Sequence, residues 1–253
     1  MVRLILYNIQ YCAGGKGGII EYLKFWKLLF PPMYIDYVIA NELKKYNPDI
    51  IGLIEVDTGS VRSRKKNTVT FFKNYLEFRG KAEHTKYIKE GFSGFFGKLP
   101  IARKQANAVI SKEKIAKIKY HSLNKGTKRI VIEAKFDFPK EFTVLLVHLS
   151  LGSKARTYQI AEIIKIVNKI EGPVILMGDF NIFKGVDEIK PLLNSTKLNY
   201  MMTKKKAYTQ PTIKPKKALD LILTSDKIKV KNYEILGLKY SDHLPVMIDF
   251  DVK

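Results

Sequence analysis

Short runs rich in β-branched residues recur along the 253-residue chain: RLILYNI (3–9), DIIGLIEV (49–56), ANAVIS (106–111), RIVIEAKF (129–136), FTVLLVHL (142–149), PVILMGDF (173–180), ALDLILT (218–224) and PVMIDF (245–250). Runs of this length and composition predict strands. Several are apolar throughout, which predicts burial on both faces. Two stretches switch to a helical period. IDYVIANELKKY (35–46) sets Ile35, Val38, Ile39 and Leu43 on one face, and YQIAEIIKIVNKI (158–170) does the same with Ile160, Ile163, Ile164 and Val167. Asn47-Pro48-Asp49 and Glu171-Gly172-Pro173 end those helices. The pattern predicts one α/β or α+β domain, residues 1–253, with two sheets and outer helices. Two long loops, 10–34 and 84–104, carry Gly, aromatic residues and Lys. Loops of that length in a compact domain are functional or disordered.

Ionisable residues gather at the strand boundaries. The first strand ends in Asn8, the second in Glu55 with Asp57 close behind, and 142–149 ends in His148. The run VILM meets Gly178, Asp179, Phe180 and Asn181; Asp220 opens the strand near 219, and Ser241-Asp242-His243 precedes the last one. Buried strands do not need such residues, whereas a site built from converging strand ends does. Side chains alternate along an extended chain, so Asp179 and Asn181 point one way and Phe180 the other. That suits a hard cation or a water beside one, and it suits a turn equally well. Glu55, Asp179, Asp220 and Asp242 are hard oxygen donors, Asn8 and Asn181 are neutral ones, and two of the four histidines, His148 and His243, lie beside them. Oxygen-rich ligands fit Mg²⁺, Mn²⁺ or Ca²⁺ better than zinc. A hard divalent cation with a histidine acid/base pair is equipment for phosphate ester hydrolysis. Asp57 is the rival of Glu55 for the metal role, with Glu55 favoured, and Asp57 also reads as the start of the DTGS turn. His148 also reads as a satisfied core histidine, and Asp220 as a structural carboxylate.

The formal net charge is +21, and of the 45 basic residues only seven are Arg, leaving 38 Lys. Such an excess attracts polyanions: nucleic acid, anionic lipid headgroups or phosphorylated substrates. It also fits a Lys-rich proteome, and the scarcity of Arg leans that way, because bidentate phosphate recognition recruits Arg. One cysteine, Cys12, excludes an internal disulfide and a Cys-based zinc site. This suits a reducing, cytoplasmic setting. The N-terminus MVRLILYNIQ reads as a strand rather than a signal peptide, and no 18-residue apolar run exists to span a membrane.

GDFN (178–181), SDHLP (241–245), Asn8, Glu55 and LDLIL around Asp220 together resemble the endonuclease/exonuclease/phosphatase superfamily. That group includes DNase I-like nucleases, abasic-site endonucleases, neutral sphingomyelinases and inositol polyphosphate 5-phosphatases. The resemblance runs in order from residue 4 to about 250. It implies a four-layer αββα sandwich, two packed mixed β-sheets flanked by helices, with the site at one edge of both sheets. It implies Glu55 and Asp242 as metal ligands with Asn8 adjacent, and Mg²⁺ or Mn²⁺ as the cofactor. Asp179 and Asn181 would orient the attacking water and the phosphate, and Asp220 would hold His243. His148, in VHLS, matches the histidine of the DNase I-like and sphingomyelinase-like branches; abasic-site endonucleases usually carry Asn there. The strand holding Asn107 borders the site in relatives, which makes Asn107 a candidate phosphate contact.

The superfamily does not fix the substrate; loops do. Arg62 and Arg64 follow Glu55 closely and either clamp a substrate phosphate or form a solvated basic turn. Arg156 and Gln159 read as a cap or salt bridge. The charge favours a phosphodiesterase acting on nucleic acid. The alternative is a phospholipid or phosphoinositide phosphodiesterase or phosphatase at an anionic membrane surface. It rests on EYLKFWKLLFPPMY (21–34) and GFSGFFGKLP (91–100), where aromatic and basic residues mix. No obligate protein partner is evident, and a monomer is expected.

Overall fold

The computed structural model describes residues 1–15, 17, 31–32, 34–86, 101–200 and 207–253. Among these, strands β1 (Val2–Asn8), β2 (Ile50–Asp57), β3 (Gly80–Thr85), β4 (Gln105–Ser111), β11 (Ile228–Ile235) and β12 (Val246–Val252) form one sheet. Its order is β11-β12-β1-β2-β4-β3. Strands β5 (Lys117–Ser122), β6 (Ile130–Phe136), β7 (Phe142–His148), β8 (Val174–Asp179), β9 (Leu198–Tyr200) and β10 (Asp220–Ser225) form the other, in the order β5-β6-β7-β8-β10-β9. Each sheet is antiparallel except for one central pair: β1 runs parallel to β2, and β7 to β8. A helix makes each parallel crossover, α1 (Ile35–Lys45) in the first sheet and α3 (Ser153–Val167) in the second. Two shorter helices, α2 (Thr68–Tyr75) and α4 (Lys190–Ser195), complete the outer layers.

Alternation along the central strands produces the four layers. In β1, Leu4 and Leu6 point inward to meet Ile132, Leu146 and Met177 of the opposite sheet, while Ile5 and Tyr7 point outward. The outward set packs under Ile39 and Leu43 of α1 and Val69 and Phe72 of α2. Ile160 and Ile163 of α3 and Leu192 of α4 cover Leu145, Leu176 and Leu221 in the same way. The two sheets touch at Gly52, where an added Cβ would lie 2.4 Å from Met177 Cε. The αββα sandwich expected from the resemblance is the fold observed.

The eight expected strands correspond to β1, β2, β4, β6, β7, β8, β10 and β12. Sequence reading missed β3, β5, β9 and β11, the four sheet edges. It also placed the start of the second helix at 158, whereas α3 begins at Ser153. The extra turn contains Arg156 and continues to Gln159, both buried but polar, so apolar periodicity does not register them.

Candidate active site

The topology delivers the polar residues to one edge. The parallel strands β1, β2, β7 and β8 end there, and their antiparallel neighbours β4, β10 and β12 begin there. In the second sheet the register sets His148 beside Asp179 and Asp179 beside Asp220, three candidate residues abreast on adjacent strands. Asn8 closes β1 in the other sheet, and its Nδ2 donates to Asp179 Oδ2 at 3.2 Å across the interface. The Ser241 hydroxyl donates to the Asn8 carbonyl at 2.7 Å, which ties the Ser241-Asp242-His243 turn to the end of β1.

Asp179 and Asn181 make the turn that their motif allows, and the strand ends at Asp179 rather than running extended through Asn181. Asp179 Oδ1 accepts the Asn181 backbone N–H at 3.1 Å, and Asn181 adopts a left-handed φ of 51°, so the strand turns. The other carboxylate oxygen, Oδ2, faces Asn8 and His148. Asn181 Nδ2 donates to the Leu149 carbonyl at 2.9 Å. Gly178 precedes them because a Cβ there would lie 2.0 Å from the Val147 carbonyl oxygen.

Glu55 sits at a bulge where the β2–β4 register slips between Leu53 and Val56, and its φ is +58°. A left-handed non-glycine residue is strained, and such strain concentrates at functional positions. Its backbone N–H donates to Asn107 Oδ1 at 3.3 Å, so buried Asn107 supports the bulge. Asp57 is the turn-former: it accepts from Gly59 and Ser60 backbone N–H groups, the Ser60 and Ser63 hydroxyls, and Arg62 at 2.8 Å. Arg62 is thus buried under that turn with its guanidinium 4.0 Å from the Tyr11 ring centroid. Arg64 is exposed on the same turn. The structure therefore does not bring Arg62 or Arg64 to the carboxylate cluster.

Two residues that the sequence did not single out stand inside the site. Lys86, just past β3, has its Nζ 3.2 Å from Glu55 Oε1 and 2.8 Å from the Tyr11 hydroxyl. Lys128, between β5 and β6, contacts His148 Nε2. Nothing distinguishes these two among 38 lysines in the sequence.

The electrostatics split the ionisable groups. Burial alone would raise the Glu55 carboxyl, but Lys86 and Lys128 outweigh it and hold Glu55 at about 2. Asp179 is likewise driven low against its burial, by the hydrogen bond to His148 and the charges of His243 and Lys128. Burial and the two ammonium groups push His148 down to about 3, so it is neutral at pH 7. His243 Nδ1 lies 2.6 Å from Asp220 Oδ2, and that carboxylate overcomes burial to raise His243 to about 10. Asp220 is itself shifted up by burial, with His243 opposing; the contact is an imidazolium–carboxylate pair. Asp242 is raised by burial and by the charges of Glu55, Asp179 and Asp220.

The donor set fits a hard divalent cation. Asp179, Asp220 and His243 place one ligand atom each within 4.8 Å of one another, although Asp220 and His243 are engaged together. Glu55, Asp242 and Asn8 add oxygen donors, and the mutual repulsion that raises Asp242 is what a dication relieves.

The sequence pattern of the Endonuclease/Exonuclease/phosphatase family matches residues 37–243. The chain belongs to this family. It is a phosphoric ester hydrolase. Asn8 lies outside the matched stretch but inside the same site. An endonuclease/exonuclease/phosphatase from Beutenbergia cavernae superposes with a TM-score of 0.75 at 16% identity, covering 99% of this chain and 71% of that one. The human Nocturnin catalytic domain gives 0.71 at 19%, covering 100% and 94%. A mannosyl-6-phosphatase from Bacteroides thetaiotaomicron gives 0.68 at 16%, covering 99% and 100%. Among curated protein sequences, none matches this chain. These similarities extend the family's fold over the whole chain; at such identities they carry the fold alone.

Proposed function

We propose that this hydrolase is a Mg²⁺- or Mn²⁺-dependent phosphodiesterase acting on nucleic acid. The observation that carries the reading is the density of positive charge around an otherwise acidic site: Lys86 and Lys128 stand within it, on a chain of net charge +21. Cationic surface attracts the phosphate backbone irrespective of sequence. A cavity of about 270 Å³ is lined by Tyr11, Tyr37 and Lys66, among others, and the Tyr11 hydroxyl also meets Lys86 of the site. Aromatic faces with basic groups suit stacked bases and their phosphates.

Glu55, Asp242 and Asn8 would hold the cation, which when bound supplies a Lewis acid for a phosphoryl oxygen. Asp179, kept ionised, orients the attacking water, with Asn8 and Asn181 fixing its two sides. Asp220 holds the Nδ1 proton of His243, leaving the Nε2–H to meet the phosphate or to protonate the departing alkoxide. His148, neutral at working pH, serves as a hydrogen-bonding group.

The lipid reading rests on 21–34 and 91–100; of these only residues 31, 32 and 34 lie within the described residues. No helix among the described residues is long and apolar enough to cross a membrane. The test is a panel of single- and double-stranded DNA, RNA, sphingomyelin, phosphoinositides and bis-p-nitrophenyl phosphate, with Mg²⁺ or Mn²⁺. Cleavage of nucleic acid, weakening steeply with salt, is expected; cleavage of lipid alone overturns the substrate assignment.

A further inference from the structure

Lys86 and Lys128 come from different sheets and reach the same site. Lys86 follows β3 of the first sheet and has a side chain only 1% exposed. Lys128 belongs to the β5–β6 connection of the second. A buried or half-buried ammonium group is costly to desolvate, so its position calls for an account.

Each amine is held by dedicated scaffolding built around a glutamine. The Lys86 backbone N–H donates to the Gln105 carbonyl at 2.8 Å, and the Tyr11 hydroxyl bridges Lys86 Nζ to Gln105 Oε1 at 2.9 Å. Tyr11 reaches that place because Gln10, Tyr11 and Cys12 all take left-handed φ values, 46°, 53° and 58°. Three consecutive strained residues are uncommon without a positional purpose. On the other side Gln159, fully buried on α3, donates to the carbonyls of Lys125 and Lys128 at 3.0 and 2.6 Å. Its own oxygen accepts the Ser150 backbone N–H at 2.9 Å. These bonds fasten the Lys128 loop to the segment that follows His148.

The partners of the two amines are informative. Lys86 leans on Glu55 and Lys128 on His148, so each touches one residue of the candidate machinery and neither is spent in a remote salt bridge. An ammonium group beside a neutral imidazole nitrogen has donors to spare, since it carries three. Both ammonium charges act on Glu55 and on His148, so the two amines serve one site.

We propose that Lys86 and Lys128 form a two-sided clamp for the phosphoryl oxygens of the substrate, one amine from each sheet. The proposal rests on the phosphoester chemistry of the preceding section but not on the nucleic-acid assignment. Phosphate from a backbone, a lipid headgroup or a sugar presents the same oxygens. Lysine acts here as a point charge, tolerant of what the phosphate is attached to.

The test is a titration of inorganic phosphate into the protein with Mg²⁺ present, followed calorimetrically or by phosphorus NMR. Inorganic phosphate carries no base, sugar or lipid, so this result is separable from the substrate panel. Lys86→Gln and Lys128→Gln should each weaken phosphate about 10-fold, the loss of one charge-assisted hydrogen bond. Lys86→Arg and Lys128→Arg, which keep the charge, should recover part of it. Lys229→Gln, an exposed lysine on β11, should bind as the parent does. Equal affinity in the parent and both Gln variants overturns the clamp, as does absence of phosphate binding by the parent. A further comparison separates a clamp from a mere counter-ion of Glu55. Glu55→Gln/Lys86→Gln should bind phosphate more weakly than Glu55→Gln alone; equality removes Lys86 from the clamp.

Discussion

The two histidines of the site occupy contrasting corners. At one, His243 meets the buried Asp220 carboxylate at 2.6 Å and is pushed up to about 10. At the other, His148 is touched by Lys128 and pushed down to about 3, although Asp179 Oδ2 lies 3.3 Å from the same ring nitrogen. Both rings are buried, so burial alone does not separate them; the charge of the partner does. One imidazole is kept as a proton donor and the other as a neutral hydrogen-bonding group. Groups whose environments drive them apart in this way are the natural acid/base candidates of a hydrolase.

This contrast can be broken from either side. The largest effect is expected at the acid corner: Asp220→Asn leaves His243 in place but removes the partner that orients and charges it. A loss in kcat of about 10³-fold or more is expected, by analogy with other histidine-orienting carboxylates. Its measurement is kcat on bis-p-nitrophenyl phosphate, with circular dichroism to confirm folding. His148→Gln should cost less, about 10- to 100-fold, because a carboxamide still offers a neutral hydrogen-bonding group. If His148→Gln proves the more damaging of the two, the assignment of roles is reversed.

The same corners should carry opposite pH signatures in the metal-free protein. A folded pKa raised to about 10 means that His243 stabilises the fold fully below its unfolded value of about 6.5, and that this contribution is lost as pH rises toward 10. A folded pKa lowered to about 3 works the other way for His148, whose contribution is present above about 6.5 and lost as pH falls toward 3. Urea denaturation in EDTA between pH 5 and 9 compares the parent with His243→Gln and His148→Gln. The parent's advantage over His243→Gln should shrink with rising pH, and its advantage over His148→Gln should grow.

A second buried carboxylate–cation pair bounds the comparison. Asp57 and Arg62 are as buried as the Asp220–His243 pair, with side chains 2% and 3% exposed, but they serve the turn that follows β2. Asp57→Asn should lower stability by about 3 kcal/mol, as expected when a buried pair loses one partner. Activity of the fraction that remains folded should change little. Thermal denaturation paired with a kcat measurement checks both halves.

What the sequence revealed follows the same division between apolar interiors and local charge. The central strands are apolar on both faces, so β1, β2, β7, β8 and β10 were legible as runs. The edge strands are not: β5 reads KIKYHS and is almost wholly exposed, and β11 alternates Lys with half-buried residues. Motif residues were legible because a carboxylate or imidazole at the end of a buried strand is anomalous there. Asp179, Asp220, His148, His243 and Asn8 are all gathered at one edge as that logic required, and Glu55 stands on the bulge beside them. Lys86 and Lys128 were not legible, because a lysine in a lysine-rich loop carries no local signal. Only the tertiary fold brings those loops to the site. The pairing of Arg62 with Asp57 was hidden for the same reason.

The most direct measurement is the initial rate of oligonucleotide cleavage with Mg²⁺ or Mn²⁺ by the parent protein and by Asp179→Asn, whose carboxylate stands between the two corners. Metal-dependent cleavage by the parent, abolished by EDTA, is expected, with a loss of at least about 10³-fold in a folded Asp179→Asn variant. Equal rates in the two proteins, or cleavage that persists in EDTA, would contradict that expectation.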